Sequence, residues 1–317
     1  MRLLINLAAS VAAASFSARI AAPCPANTVP WPRGDGGTTC EPFAAAKKDA
    51  LKWLRKNAPP SDLYNAATLF GTLGGVDGLD AGVAAVAANA TLTAKARWPW
   101  ARSVPRDVFR DYVLPYACAN EPRTHWHGLL AKAVDPILQT LPSRASIADV
   151  AEAINGYGGN SSVWQRVGGV KFHSGQTPLI FDPVSTVAFG YASCTGVSMT
   201  LIAALRVAGV PARLVGTPAW LGDPANGNHN WVEIWDGGAW RFWEGRPAGG
   251  GETLANPCDK WFCSAAKFPV NGSTKAYAAR WDRHANESIY PLAWDPSNLD
   301  TPGVNRTDAY VGMCSRC

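Results

Sequence analysis

The spacing of apolar positions along the chain changes twice. From Phe43 it recurs at helical intervals, through Ala46, Ala50, Leu51 and Leu54, until Pro59 and Pro60 stop the run. Ser61 and Asp62 can cap a second helix, Ala-rich sequence continues through Val86, and residues 108–112 and 129–141 add further helical stretches. Behind a Pro/Gly-rich lead-in that ends near Thr39, residues 41–155 therefore read as mainly α-helical. Between 156 and 175 Gly, Asn and Ser punctuate short apolar runs, and Val170 and Phe172 alternate with polar neighbours as a strand would. Helical spacing then returns: Val197, Leu201, Ala204, Leu205 and Ala208 share one face, and Gly209 followed by Pro211 ends it. That helix is expected to begin at or just after Cys194.

The runs NWVEIW (230–235) and AWRFWE (239–244) are of β type and flank Asp236, Gly237 and Gly238, which predicts a hairpin. A two-residue loop at Gly237 and Gly238 pairs position 236 with 239 and Trp231 with Glu244, placing His229 diagonally from Glu244 on one face. A three-residue loop would slip the register by one and put His229 and Glu244 on opposite faces; the Gly-Gly pair favours the first register. Beyond Phe268 no periodicity emerges, and residues 269–317 read as a loop-rich cap tied by disulfides.

Composition adds scale and compartment. A chain of 317 residues, 47% apolar and 17% charged, can bury a substantial core. Met1, Arg2 and the apolar, small-residue run to Ser17 have the form of a signal peptide over 1–17, too short and too Ala/Ser-rich to span a membrane. The remaining divisions are a helical region over 18–155, a catalytic core over 156–268 and the C-terminal segment over 269–317. Sequons at Asn89, Asn160, Asn271, Asn286 and Asn305 agree with a secretory route. Of eight cysteines, six lie towards the two ends, where Cys24 with Cys40, Cys258 with Cys263 and Cys314 with Cys317 would close short loops. Cys118 and Cys194 remain, Cys118 reading as buried or paired. No paired zinc-ligand spacing and no acidic calcium loop is present, so no metal or cofactor is expected. The net charge of +5 is scattered, leaving no nucleic-acid footprint.

Cys194 is the candidate nucleophile because a thiol at a helix start, beside an imidazolium, is shifted towards thiolate. His229 would supply the imidazole and Glu244 the carboxylate that orients it. These residues resemble the transglutaminase-like superfamily, a branch of the papain-like cysteine enzymes. Its pattern is a Cys opening a helix, an R-x-x-G-[IV]-P-x-R phrase, an H-x-W-x-E phrase, and an acid four residues after a Trp. Here these are Cys194, RVAGVPAR at 206–213, HNWVE at 229–233, and Trp240 with Glu244. The resemblance implies an α+β fold in which the Cys-bearing helix packs on an antiparallel sheet carrying the His and the acid. It also implies a thioester acyl-enzyme formed from protein or peptide amides, resolved by an amine or by water. The acid is commonly Asp in this superfamily, so Glu244 is a departure. It supports the alternative of an inactive binding or cell-wall-associated protein.

Fourteen tryptophans crowd the sequence, most expected in the core, with Trp220 the candidate for lining an acyl-donor cleft. Glu233 reads as solvent-facing or supporting rather than catalytic. His125, His127, His173 and His284 read as surface or hydrogen-bonded residues, and the i, i+2 spacing of the first two argues against a metal pair. The expected partner is a protein or peptide substrate, with no membrane once the signal is removed.

Overall fold

The computed structural model describes residues 23–62, 80–156, 161–249, 264–285 and 288–314. The signal-peptide stretch, Asn160, Asn286, Cys258, Cys263 and Cys317 lie outside the described residues.

The lead-in forms a hairpin of β1 (Thr28–Pro32) and β2 (Thr38–Pro42), adjoining the Cys24–Cys40 disulfide. Its prolines hid it from a periodicity reading, yet a two-stranded sheet has only edges, where missing N–H donors are tolerated. Helix α1 (Phe43–Lys56) follows and buries Ala46, Ala50 and Leu54, one stripe at i, i+4 and i+8. A π-helical turn over Asp80–Ala84 leads into α2 (Ala85–Arg97), then α3 (Arg106–Tyr112), α4 (Trp126–Leu138) and α5 (Ile147–Asn155). The N-terminus of α5 is fixed by a reciprocal capping box between Ser146 and Asp149.

The short β3 (Lys171–Phe172), α6 (Pro183–Phe189) and β4 (Tyr191–Ala192) come next, with β3 and β4 paired in parallel. Helix α7 (Cys194–Val207) opens directly after β4. Beyond it are β5 (Ala212–Thr217), β6 (His229–Asp236), β7 (Ala239–Trp243), β8 (Tyr277–Ala279), β9 (Ser288–Ile289), β10 (Pro302–Asn305) and α8 (Thr307–Cys314). The last six strands form one antiparallel sheet in the order β7-β6-β5-β8-β10-β9.

The described residues from Tyr277 onward thus add three strands to the main sheet rather than only capping it. Strands of two to four residues are too short to show alternation in sequence.

Helix α7 lies on β5 and β6 with α4 and α6 beside it, and every residue from Thr195 to Val207 is buried. At its far end Arg206, itself buried, donates to the carbonyls of Tyr112, Pro115 and Ala117 at 3.1, 3.1 and 2.7 Å. The helical region and the sheet therefore share one core. A second apolar cluster, including Val215, Trp231, Phe242, Phe268, Ala278 and Tyr310, covers the other face of the sheet. The fold is α+β, with the Cys-bearing helix packed on an antiparallel sheet that carries His229 and leads to Glu244, as expected.

Candidate active site

Cys194 is the first residue of α7. Ser193 precedes it in extended conformation but makes no side-chain cap, because its hydroxyl is engaged with Thr177 at 2.6 Å. The first-turn N–H groups are thus not taken up by a capping side chain, and the positive end of the helix faces the thiol. The chain comes close here. A Cβ on Gly196 would run into the Ala192 methyl and stand 3.0 Å from the Ile180 carbonyl, so only glycine lets the first turn sit against residues 180 and 181.

His229 and Glu244 are brought together by the hairpin. Gly237 and Gly238 both have positive φ, 59° and 97°, the two-residue turn that suits strand twist. Asp236 accordingly pairs with Ala239 and Val232 with Trp243, so Glu244, one residue past β7, falls opposite Trp231. Nε2 of His229 then meets Oε1 of Glu244 at 2.5 Å. The extra methylene of Glu relative to Asp is accommodated. Asn155 fixes the backbone there: its Nδ2 donates to the Glu244 carbonyl at 2.7 Å, and its Oδ1 accepts from Trp164 Nε1 and the Arg246 N–H at 2.9 and 3.0 Å. The imidazole lies nearly parallel to the rings of Trp220 and Trp231, with centroids 6.2 and 5.9 Å away.

The electrostatics follow from this packing. Burial would push the Cys194 thiol up, but the charge and hydrogen bond of His229 outweigh it, aided by the Asn230 N–H and the Thr195 hydroxyl, and hold it below its usual value. Burial would push His229 down, yet the carboxylate of Glu244 and then the Cys194 sulfur raise it to about 10. With Nε2 committed to Glu244, the ring's hydrogen bond to the thiol falls to Nδ1. The state favoured near neutral pH is a thiolate–imidazolium pair backed by a carboxylate. That arrangement can attack a carbonyl carbon and return a proton to a leaving group.

The remaining candidates fall elsewhere. Trp220 is buried beside the imidazole, with Lys267 Nζ 4.7 Å from its ring centroid. Glu233 is 1% exposed and not solvent-facing, as its neighbours Arg213, Arg306 and Tyr310 enclose it. His125, His173 and His284 are exposed. His127, however, is buried with neither ring nitrogen hydrogen-bonded among the described residues, and burial pushes it down to about 3, so it stays neutral. It differs from the surface or hydrogen-bonded expectation because α4 turns this position inward, against Trp126. Cys118 is free and buried, and burial raises its thiol to about 12, the opposite of Cys194. Asn89, Asn271 and Asn305 are exposed. The sequence reading missed Asn155, Thr195, Asn230 and Tyr290. The only signal for Asn230 and Thr195 was their adjacency to His229 and Cys194, and Asn155 and Tyr290 had none.

Residues 146–244, from the cap of α5 to Glu244, match the family model of the transglutaminase-like superfamily. A solved structure of a proposed cysteine protease from Cytophaga hutchinsonii superposes with a TM-score of 0.31 and 15% identity, covering 58% of this chain and 60% of that one. A superposition that loose carries nothing about the site. None of the curated proteins matches the chain.

Proposed function

We propose that this is a secreted cysteine enzyme that attacks protein or peptide amides through Cys194 and holds the acyl group as a thioester. The observation that carries the reading is the meeting of Cys194, at the start of α7, with a His229 whose far nitrogen is bound to Glu244 at 2.5 Å. In the first step the Cys194 sulfur forms a bond to the carbonyl carbon, and the oxygen takes the negative charge, within reach of N–H groups at the helix start. The C–N bond then breaks as the imidazolium gives its proton to the departing amine. An incoming amine or water is deprotonated by the now neutral His229, attacks the thioester and releases the thiolate. Trp220, flat beside the imidazole, is the proposed wall for the acyl donor.

Secretion is supported by the leader-like start, the Cys24–Cys40 disulfide and the exposed sequons Asn89, Asn271 and Asn305. No helix among the described residues is long and apolar enough to cross a membrane.

The test is mass spectrometry of a glutamine-containing peptide incubated with the protein, with and without a primary amine. Amine incorporation identifies a transferase; cleavage or deamidation identifies a hydrolase. Either must vanish in Cys194→Ala. Turnover that survives in Cys194→Ala, or no product together with a Cys194 that iodoacetamide leaves unlabelled under reducing conditions, sinks the enzyme reading.

A further inference from the structure

Behind Cys194 lies a chain of hydrogen bonds that the chemistry above does not use. Tyr290, 1% exposed and one residue past β9, donates its phenolic hydroxyl to Oδ1 of Asn230. Asn230, buried on β6, turns its Nδ2 to Thr195 and donates to Oγ1 at 2.8 Å. Thr195, buried in the first turn of α7, directly follows Cys194, and its hydroxyl, like the backbone N–H of Asn230, helps hold the thiol below its usual value. The Ser198 hydroxyl holds that stretch of backbone from the helix side, donating to the Asn230 carbonyl at 3.2 Å.

We propose that Tyr290, Asn230 and Thr195 form a one-way relay that keeps a hydrogen-bond donor aimed at the Cys194 sulfur, making all three positioning residues for the nucleophile. The direction follows from donor and acceptor counting. A side-chain amide has one accepting end and one donating end and can in principle be turned over. The Tyr290 hydroxyl has no other hydrogen-bond partner among the described residues, so it donates to the amide oxygen, which leaves the nitrogen for Thr195. A threonine hydroxyl has one hydrogen. Oγ1 accepts from Asn230 and donates to no other acceptor among the described residues, which leaves that hydrogen for the neighbouring sulfur, and a thiolate can only accept. Burial, and then the nearby Cys194 charge, hold the Tyr290 phenol well above its usual value, so it keeps its proton near neutral pH. The relay also gives the C-terminal segment a part in the site, since Tyr290 belongs to it.

The inference rests on Cys194 being the nucleophile, so its test reads the thiol and not turnover. The rate of iodoacetamide alkylation is followed against pH on the full chain, with peptide mapping to separate Cys194 from Cys118. Thr195→Val removes the donor and is expected to raise the apparent alkylation midpoint by about one unit, a loss of roughly tenfold in rate on the acid limb. Thr195→Ser restores the donor and the wild-type profile. Tyr290→Phe frees the amide to turn over and gives a smaller shift in the same direction, about two- to threefold in rate.

Far-UV circular dichroism establishes that each variant is folded. A folded Thr195→Val whose profile superimposes on wild type overturns the relay. If Thr195→Val does not fold, an unshifted Tyr290→Phe overturns it. A wild-type Cys194 that alkylates no faster than an ordinary thiol sinks the nucleophile itself, whereas a reactive wild type with unmoved variants sinks the relay alone.

Discussion

Glu233 and Glu244 belong to the same hairpin, are each 1% exposed, and yet face opposite kinds of partner. Glu233 accepts from Arg213 Nε and Nη2 at 2.8 and 2.6 Å, from Arg306 Nε at 3.0 Å and from the Tyr310 hydroxyl at 2.9 Å. Glu244 meets an imidazole whose other side reaches a thiol. Guanidinium keeps its charge at any working pH, so the first cluster is fixed. An imidazole can pass its proton on, and His229, though raised to about 10, shares its hydrogen bonds with a thiol, so the second can follow a reaction. A buried carboxylate on this sheet is therefore informative through its partner's ability to titrate, not through its burial.

The sharpest way to separate the two is Glu244→Gln. A neutral amide can donate to Nε2 of His229 and so favour the wrong tautomer, with a proton on the nitrogen that faces Cys194. Turnover is expected to fall by roughly 10²–10⁴-fold, as when a triad carboxylate becomes an amide. The pH dependence should change with it. In the wild type His229 is raised above its ordinary 6.5 to about 10, so the stability its proton contributes is complete below about 6.5 and lost as pH rises through about 10. Turnover needs both the thiolate and the imidazolium, so it should hold between the lowered Cys194 midpoint and about 10. Removing the Glu244 charge should lower the His229 value, closing that window from its alkaline side. A Gln variant with wild-type turnover and an unchanged window would mean that Glu244 is as static as Glu233.

Glu233→Gln should do the reverse. It leaves the guanidinium of Arg213, 3% exposed, without a countercharge in the core, a loss of about 3–5 kcal/mol in urea unfolding. The folded fraction should alkylate at Cys194 with the wild-type pH profile. A shifted profile would show that the two carboxylates are coupled.

The reacting residues were legible because each sits where local rules are strong. Gly237 and Gly238 set a turn type, the turn sets the register, and the register brings Glu244 to His229. The run ended by Gly209 and Pro211 fixed the frame of α7 and hence the place of Cys194. What escaped depends on what covers a surface. The alternation of HNWVE puts Glu233 on the face of His229 and Trp231, but that Arg306 and Tyr310 cover this face follows only once β10 and α8 are in place. Tyr290 and Asn155 are single residues whose value lies in long-range hydrogen bonds, 60 positions away for Tyr290 and 89 and 91 for Asn155. His127 reads in sequence as a surface or hydrogen-bonded residue, and its burial follows from the inward turn of this position on α4, against Trp126. The superfamily phrases gain physical content here as well: Arg206 ties α7 to the helical region, and the second arginine of the phrase, Arg213, is the partner of the Glu in HNWVE.

The smallest of these effects tests how the fixed cluster is built. Arg306 reaches Glu233 Oε1 at 3.0 Å, but its side chain is 23% exposed while that of Arg213 is 3%. Arg306→Gln leaves Arg213 and the Tyr310 hydroxyl on the carboxylate and exposes the site only at its wetter edge. The expected loss is about 1 kcal/mol, with no change in Cys194 alkylation. If the loss instead matched that of Glu233→Gln, the two guanidiniums would be acting as one unit. Even then the cluster would remain a clamp on β6, because Arg213, Arg306 and Tyr310 all hold the one carboxylate of Glu233.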